Sequence, residues 1–73
     1  MTLEQAFGQV LRTRREKAGL TQTSLAELSG LDRTFVSLLE RGERQPSLRT
    51  LFVLSTALGV DPEELVREVR RCV

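Results

Sequence analysis

Apolar residues recur every three or four positions along the whole chain, and nowhere do they alternate with the period of a strand. Leu3, Phe7, Val10, Leu11 and Ala18 fall on one stripe and predict a first helix ending near Gly19, a natural left-handed stop. Thr21 is placed to cap a second helix over Gln22 to Ser29 through its hydroxyl. Gly30 and Leu31 form a turn, Asp32 caps a third helix from Arg33 to about Arg41, and Gly42 closes that helix. The segment ERQPS reads as a loop, because Pro46 disfavours helix at Gln45. Ser47 then caps a fourth helix carrying Leu48, Leu51, Leu54, Ala57 and Leu58, with Gly59 at its end. Asp61, Pro62, Glu63 and Glu64 make a fifth start: a capping carboxylate, proline at the first helical position and acids against the positive helix end. Leu65, Val66, Val69 and Val73 follow. The expectation is all-α: one compact five-helix domain over residues 1–73, without a sheet.

The stretch from Gln22 to Arg41 has the order of a helix-turn-helix. Ala26 is small where two helices must approach, Gly30 is flexible where the chain must turn, and Leu25, Val36 and Leu39 supply the apolar contacts. The second helix of that pair is left with a solvent-facing edge, here Arg33, Thr34 and Ser37, able to contact base edges in a major groove.

Composition narrows the function classes. The 40% apolar content argues against disorder, and 73 residues leave room for one small domain. No apolar run approaches the roughly 18 residues of a membrane span, and MTLEQAFGQ lacks the basic-then-apolar order of an export signal. The lone cysteine, Cys72, cannot form an internal disulfide, which fits a reducing cytoplasm. A spectator near a frayed terminus is the expectation for it, a cross-link between two copies the alternative. There is no histidine, no tyrosine and no glycine-rich phosphate loop, so neither catalysis, nor a metal site, nor a cofactor is expected. The net charge is only +1, with an excess of two positive charges over residues 1–20. Any DNA contact must therefore rest on a few placed arginines rather than on a broad basic field.

With these residues in place, the chain resembles the Cro/repressor helix-turn-helix family, also called XRE-like, from about Leu11 to Leu65. The resemblance is carried by Arg15, Gly19-Leu20-Thr21-Gln22, Leu25-Ala26, Gly30, Val36, Leu39-Glu40-Arg41-Gly42, Pro46-Ser47-Leu48, Leu51 and Ala57-Leu58-Gly59-Val60. The stretch Leu31-Asp32-Arg33-Thr34-Phe35-Val36-Ser37 is similar to the controller proteins of restriction–modification systems, small dimeric members of that family. The resemblance implies a lambda-repressor-like fold and a transcription regulator bound to double-stranded DNA.

It also implies a role for each matching position. Gln22 would bond a phosphate, helped by the backbone N–H groups of the helix start, with Thr23 beside it in the DNA-binding set. Arg33, Thr34 and Ser37 would face the bases, an arginine there bridging guanine O6 and N7. Phe35 would lie against sugars or thymine methyls, or else pack onto the protein. Arg44 and Gln45 would grip backbone or a neighbouring base. Arg15 and Glu40 would pair between the first and third helices, an architectural role. Two departures stand out. Glu43 occupies a place where relatives often carry lysine, and must be aimed away from phosphate or paired with Arg44 or Arg41. Leu38 replaces a residue that is often polar and DNA-facing, so it reads only thymine methyls or fills space.

Useful specificity needs two copies on half-sites roughly 34 Å apart. Phe52 and Val53, with Val66, Val69 and Val73 extending the same surface, are the expected dimer interface; the bland alternative is that they complete the domain's own core. A core of Leu48, Leu51, Leu54 and Leu58 already suffices, which favours the homodimer. With no sensory domain, no small-molecule ligand is expected. The rival function is a protein-binding module such as an antitoxin.

Overall fold

The computed structural model describes all 73 residues, as five helices. They are α1 (Leu3–Lys17), α2 (Gln22–Ser29), α3 (Arg33–Glu40), α4 (Leu48–Leu58) and α5 (Pro62–Cys72). Their starts follow from side-chain caps that satisfy the free N–H groups of each first turn. The Thr21 hydroxyl accepts from the Ser24 N–H at 3.0 Å, Asp32 Oδ1 from the Thr34 N–H at 3.0 Å, and the Ser47 hydroxyl from the Thr50 N–H at 3.1 Å. At α5 the Glu64 carboxylate reaches back to the Asp61 N–H at 3.4 Å. The apolar pattern gave no sign of the cap on α1, where Thr2 and Gln5 bond each other's backbone N–H reciprocally.

Gly30 ends α2 in the left-handed region at φ 68°, which sets the direction in which α3 leaves. The stops expected of Gly19 and Gly42 are in place, both glycines being left-handed at φ 73° and 74°. α1 stops at Lys17 with Ala18 as its cap, and α3 stops at Glu40 with Arg41 as its cap.

The buried core draws on every helix: Ala6, Phe7, Val10 and Leu11 of α1, Leu25 and Ala26 of α2, Val36 and Leu39 of α3, Leu54 of α4, and Leu65 and Val69 of α5. Each fully buried leucine contributes about 1.5–3 kcal/mol by leaving water. α1 packs on α3 and α5, α2 on α3 and α4, and α4 on α5, so α3 is held from two sides. No helix is long and apolar enough to cross a membrane.

The expected stripes are corrected in three places. Leu3 and Ala18 are exposed, so the core stripe of α1 is shorter than its apolar pattern. Leu48 is 72% exposed, because six residues of helix turn it about 120° away from buried Leu54. Val69, expected at a dimer surface, belongs to the core instead: it lies one turn beyond Leu65 on the same face.

The sequence pattern also missed one tie between distant segments. Arg14 of α1 pairs with Glu68 of α5, its Nε donating to Oε1 at 3.1 Å, with Glu64 at 3.8 Å. Hydrogen bonding to Arg14 holds the Glu68 carboxyl below its ordinary value, against the opposing effect of burial.

Candidate nucleic-acid interface

α3 divides by face. Val36 and Leu39 point into the core, while Arg33 and Thr34 at the helix start are exposed. The Arg33 guanidinium makes no ion pair with any carboxylate of the chain. Ser37, one turn on, is half-buried. Phe35 is half-buried and packs against the core cluster, the second of its two expected placements, so its ring is largely engaged with the protein. Leu38 is half-buried, and its carbonyl accepts the Glu43 N–H at 2.9 Å, which holds the loop after α3 close to the helix end.

In that loop Arg44 and Gln45 are both exposed. Arg44 Nη1 bonds the Glu43 carbonyl at 3.0 Å, keeping the guanidinium near the loop backbone. Glu43 faces Arg41 at 3.5 Å, so its charge is paired rather than bare beside any approaching phosphate.

The edge formed by α2 is held from within. Glu40, at the last position of α3, has a side chain only 4% exposed. Arg15 of α1 meets it through two parallel bonds, Nε to Oε2 at 2.6 Å and Nη2 to Oε1 at 3.0 Å. The remaining Arg15 nitrogen, Nη1, donates to the Leu20 carbonyl at 2.9 Å, just before the cap of α2. Bonding to Glu40 raises the Arg15 pKa above its ordinary value, against the lowering effect of burial. One guanidinium thus ties α1, the start of α2 and the end of α3 together.

Gln22 joins the same cluster. Its Nε2 donates to Glu40 Oε1 at 3.0 Å, so the amide expected to reach for phosphate is already bonded inside the protein. Thr23 beside it is exposed. Nothing in the local pattern signalled the Gln22–Glu40 bond, since 18 residues separate the two.

The expected dimer residues do not form one patch. Phe52 and Val53 line a recess with Leu28, Ser29 and Thr56 between α2 and α4. Val66 and Val69 line another, of about 230 Å³, with Leu3, Phe7, Gln45, Pro46 and Leu51. Val73, past the end of α5, is exposed. The sequence could not separate these recesses, because α4 and α5 present apolar residues on more than one face.

No group of three or more His, Cys, Asp and Glu side chains stands together where it could hold a metal ion. The exposed side chains of Thr23, Arg33, Thr34, Arg44 and Gln45 offer hydrogen bonding and charge.

Comparison with known proteins agrees with the five-helix fold. Residues 11–65 match the family model described as helix-turn-helix. An uncharacterised HTH-type transcriptional regulator of Sinorhizobium fredii is 51% identical over 55 residues, 75% of this chain and 70% of that one. The control protein C.BamHI of Bacillus amyloliquefaciens is 43% identical over 61 residues, 82% of this chain and 75% of that one. Among solved structures, the restriction-modification controller protein C.AhdI from Aeromonas hydrophila superposes with a TM-score of 0.83 at 50% identity, over 85% of this chain and 94% of that one.

Proposed function

Because the chain belongs to the helix-turn-helix family of XRE-type DNA-binding transcription regulators, we propose that it acts as a homodimer on a palindromic operator, with α3 in the major groove. The observation that carries this reading is the state of Arg33. It is an exposed, unpaired cation at the start of a helix whose other face is locked into the core.

On this reading Arg33 bridges guanine O6 and N7, an interaction worth roughly 1–3 kcal/mol of discrimination. Thr34 and Ser37 supply shorter polar contacts beside it. Thr23, Arg44 and Gln45 meet the sugar–phosphate backbone at the two ends of the footprint, and Gln22 meets a phosphate through the N–H it has left. With a net charge of +1 the molecule gains little from bulk attraction, so these few contacts set both affinity and register.

One recognition helix covers too few base pairs to single out an operator, and two copies supply the rest. Leu28, Leu48 and Phe52 are 63%, 72% and 52% exposed, an apolar face of α2 and α4 suited to a second copy. Occupancy then rises steeply with protein concentration, and that is the regulatory input. Residues 1–73 act as one unit, in the reducing interior where a lone exposed thiol persists.

Selection of bound duplexes from a random pool tests the proposal, with Arg33→Ala in parallel. The wild type enriches an inverted repeat, and the variant loses preference at one symmetric pair of positions. An unchanged preference in Arg33→Ala removes the base-reading role, and absence of any enriched sequence removes the operator reading.

A further inference from the structure

We infer that Glu40 is a positioning residue for DNA binding, acting through the side-chain amide of Gln22. The inference rests on the reading above in which Gln22 meets a phosphate. The side chain of Glu40 is almost wholly buried, and its Oε1 receives both Arg15 Nη2 and Gln22 Nε2, each at 3.0 Å.

A carboxylate only accepts hydrogen bonds, so Gln22 must turn its NH2 end toward Glu40. The reversed amide would set a carbonyl oxygen against the carboxylate. One hydrogen of Nε2 is engaged by Glu40 and the other remains, on a nitrogen fixed at the first position of α2. That hydrogen is the donor a phosphate would find, beside the free N–H groups of the helix start.

The cluster serves binding in two further ways. A solvated glutamine must give up several rotamers when it binds, whereas one already held loses fewer. And Arg15 neutralises Glu40, so the phosphate meets a paired charge rather than an anion. The bond from Arg15 Nη1 to the Leu20 carbonyl sets the position of the α2 start itself, so side chain and backbone donors are aligned by one network.

The test is a double-mutant cycle on operator affinity, using the full chain and duplex selected as above. Glu40→Gln should weaken binding about fivefold when Gln22 is present and less than twofold in the Gln22→Ala background. In an Arg33→Ala background its effect should stay about fivefold, since Arg33 does not touch the cluster. Equal losses in the Gln22 and Gln22→Ala backgrounds overturn the inference and leave the phosphate contact standing. If Gln22→Ala does not weaken binding at all, the phosphate reading fails and the inference falls with it.

A second measurement does not depend on the variants folding. In wild-type protein free of DNA, nitrogen relaxation should show the Gln22 side-chain amide restricted on the fast timescale, with one of its protons shifted from the position of a solvated glutamine, and both features retained in the complex. Rapidly averaged motion of that amide in the free protein overturns the inference.

Discussion

Gly8 of α1 lies directly against the backbone of Leu39 in α3: a Cβ at position 8 would stand 2.4 Å from the Leu39 carbonyl oxygen. The Glu40 carbonyl oxygen would be only 2.6 Å away. Both obstacles are main chain, so no side chain can swing aside. Gly8→Ala is therefore expected to destabilise the fold despite the better helix propensity of alanine. That propensity returns about 0.5–1 kcal/mol, while forcing α1 off α3 costs roughly 1–3 kcal/mol or more. Thermal unfolding by circular dichroism should show a Tm lowered by at least several degrees. A variant as stable as wild type would mean that α1 can slide without loss.

The helices were legible in the sequence because their signals are local: Thr21, Asp32, Ser47 and Asp61 sit at the starts they were expected to mark. The exposed edge of Arg33 and Thr34 was legible for the same reason, since the core face of α3 is set by Val36 and Leu39 three residues apart. What could not be read from composition or spacing were contacts across sequence distance. Gly8 carries no helical signal except a mild penalty, and only the approach of α3 explains it. The Arg14–Glu68 pair spans 54 residues with no local pattern to mark it. The Arg15–Glu40 pair was expected only through family resemblance, and the added bond from Gln22 had no precursor at all. The surface of α4 misled because Leu48 and Leu54 are both leucine, while the helix turns them to different sides.

Removal of Arg15 should cost far more than removal of a neighbouring arginine. Arg15→Ala strands the Glu40 carboxylate, 4% exposed, with Gln22 as its one remaining donor. The expected loss is about 3 kcal/mol, at the lower end for a broken buried pair because Arg15 itself keeps some contact with water. Arg12, one turn earlier, pairs with Glu16 on the exposed surface at 3.4 Å, and Arg12→Ala should change stability by less than about 1 kcal/mol. Urea unfolding of the two variants separates these expectations. Equal effects would show that the Arg15 pair is no better than a surface bridge.

The Arg14–Glu68 pair predicts an acid-sensitive contribution to stability. Glu68 has its carboxyl pKa lowered in the folded state, chiefly by hydrogen bonding to Arg14, with Lys17 and Arg71 adding favourable charge. A lowered folded value means that unfolding takes up a proton in acid, so the contribution is complete above the ordinary carboxylate range. It is lost as pH falls through the folded value. The stability difference between wild type and Glu68→Gln should therefore be flat from neutral pH down to about pH 6, then shrink below roughly pH 4.5. Denaturant midpoints over that range check it. A difference that grows toward acid would contradict the assigned pairing.

Assembly should depend on Phe52 and not on Val66, although both are half exposed and both line apolar recesses. Phe52 lies on α4 amid exposed Leu28 and Leu48, a cluster that side chains of this chain leave open. Val66 faces a recess whose other walls include buried Phe7 and Val69 and half-buried Leu51, so much of that surface is already covered from within. A stable pair needs roughly 800 Å² from each partner, and an open aromatic-centred face can supply more of it than a partly filled groove. Phe52→Glu buries a charge at that contact without hollowing the core. It should convert a dimer to a folded monomer in sedimentation at micromolar protein, with helical content retained. Operator affinity should fall by at least about a hundredfold, because the second half-site is no longer delivered at high effective concentration. Val66→Glu should leave both the sedimentation coefficient and the affinity close to wild type. If instead Val66→Glu gives the monomer and Phe52→Glu stays dimeric, the two copies meet through α1 and α5, and the α4 face is free for another partner.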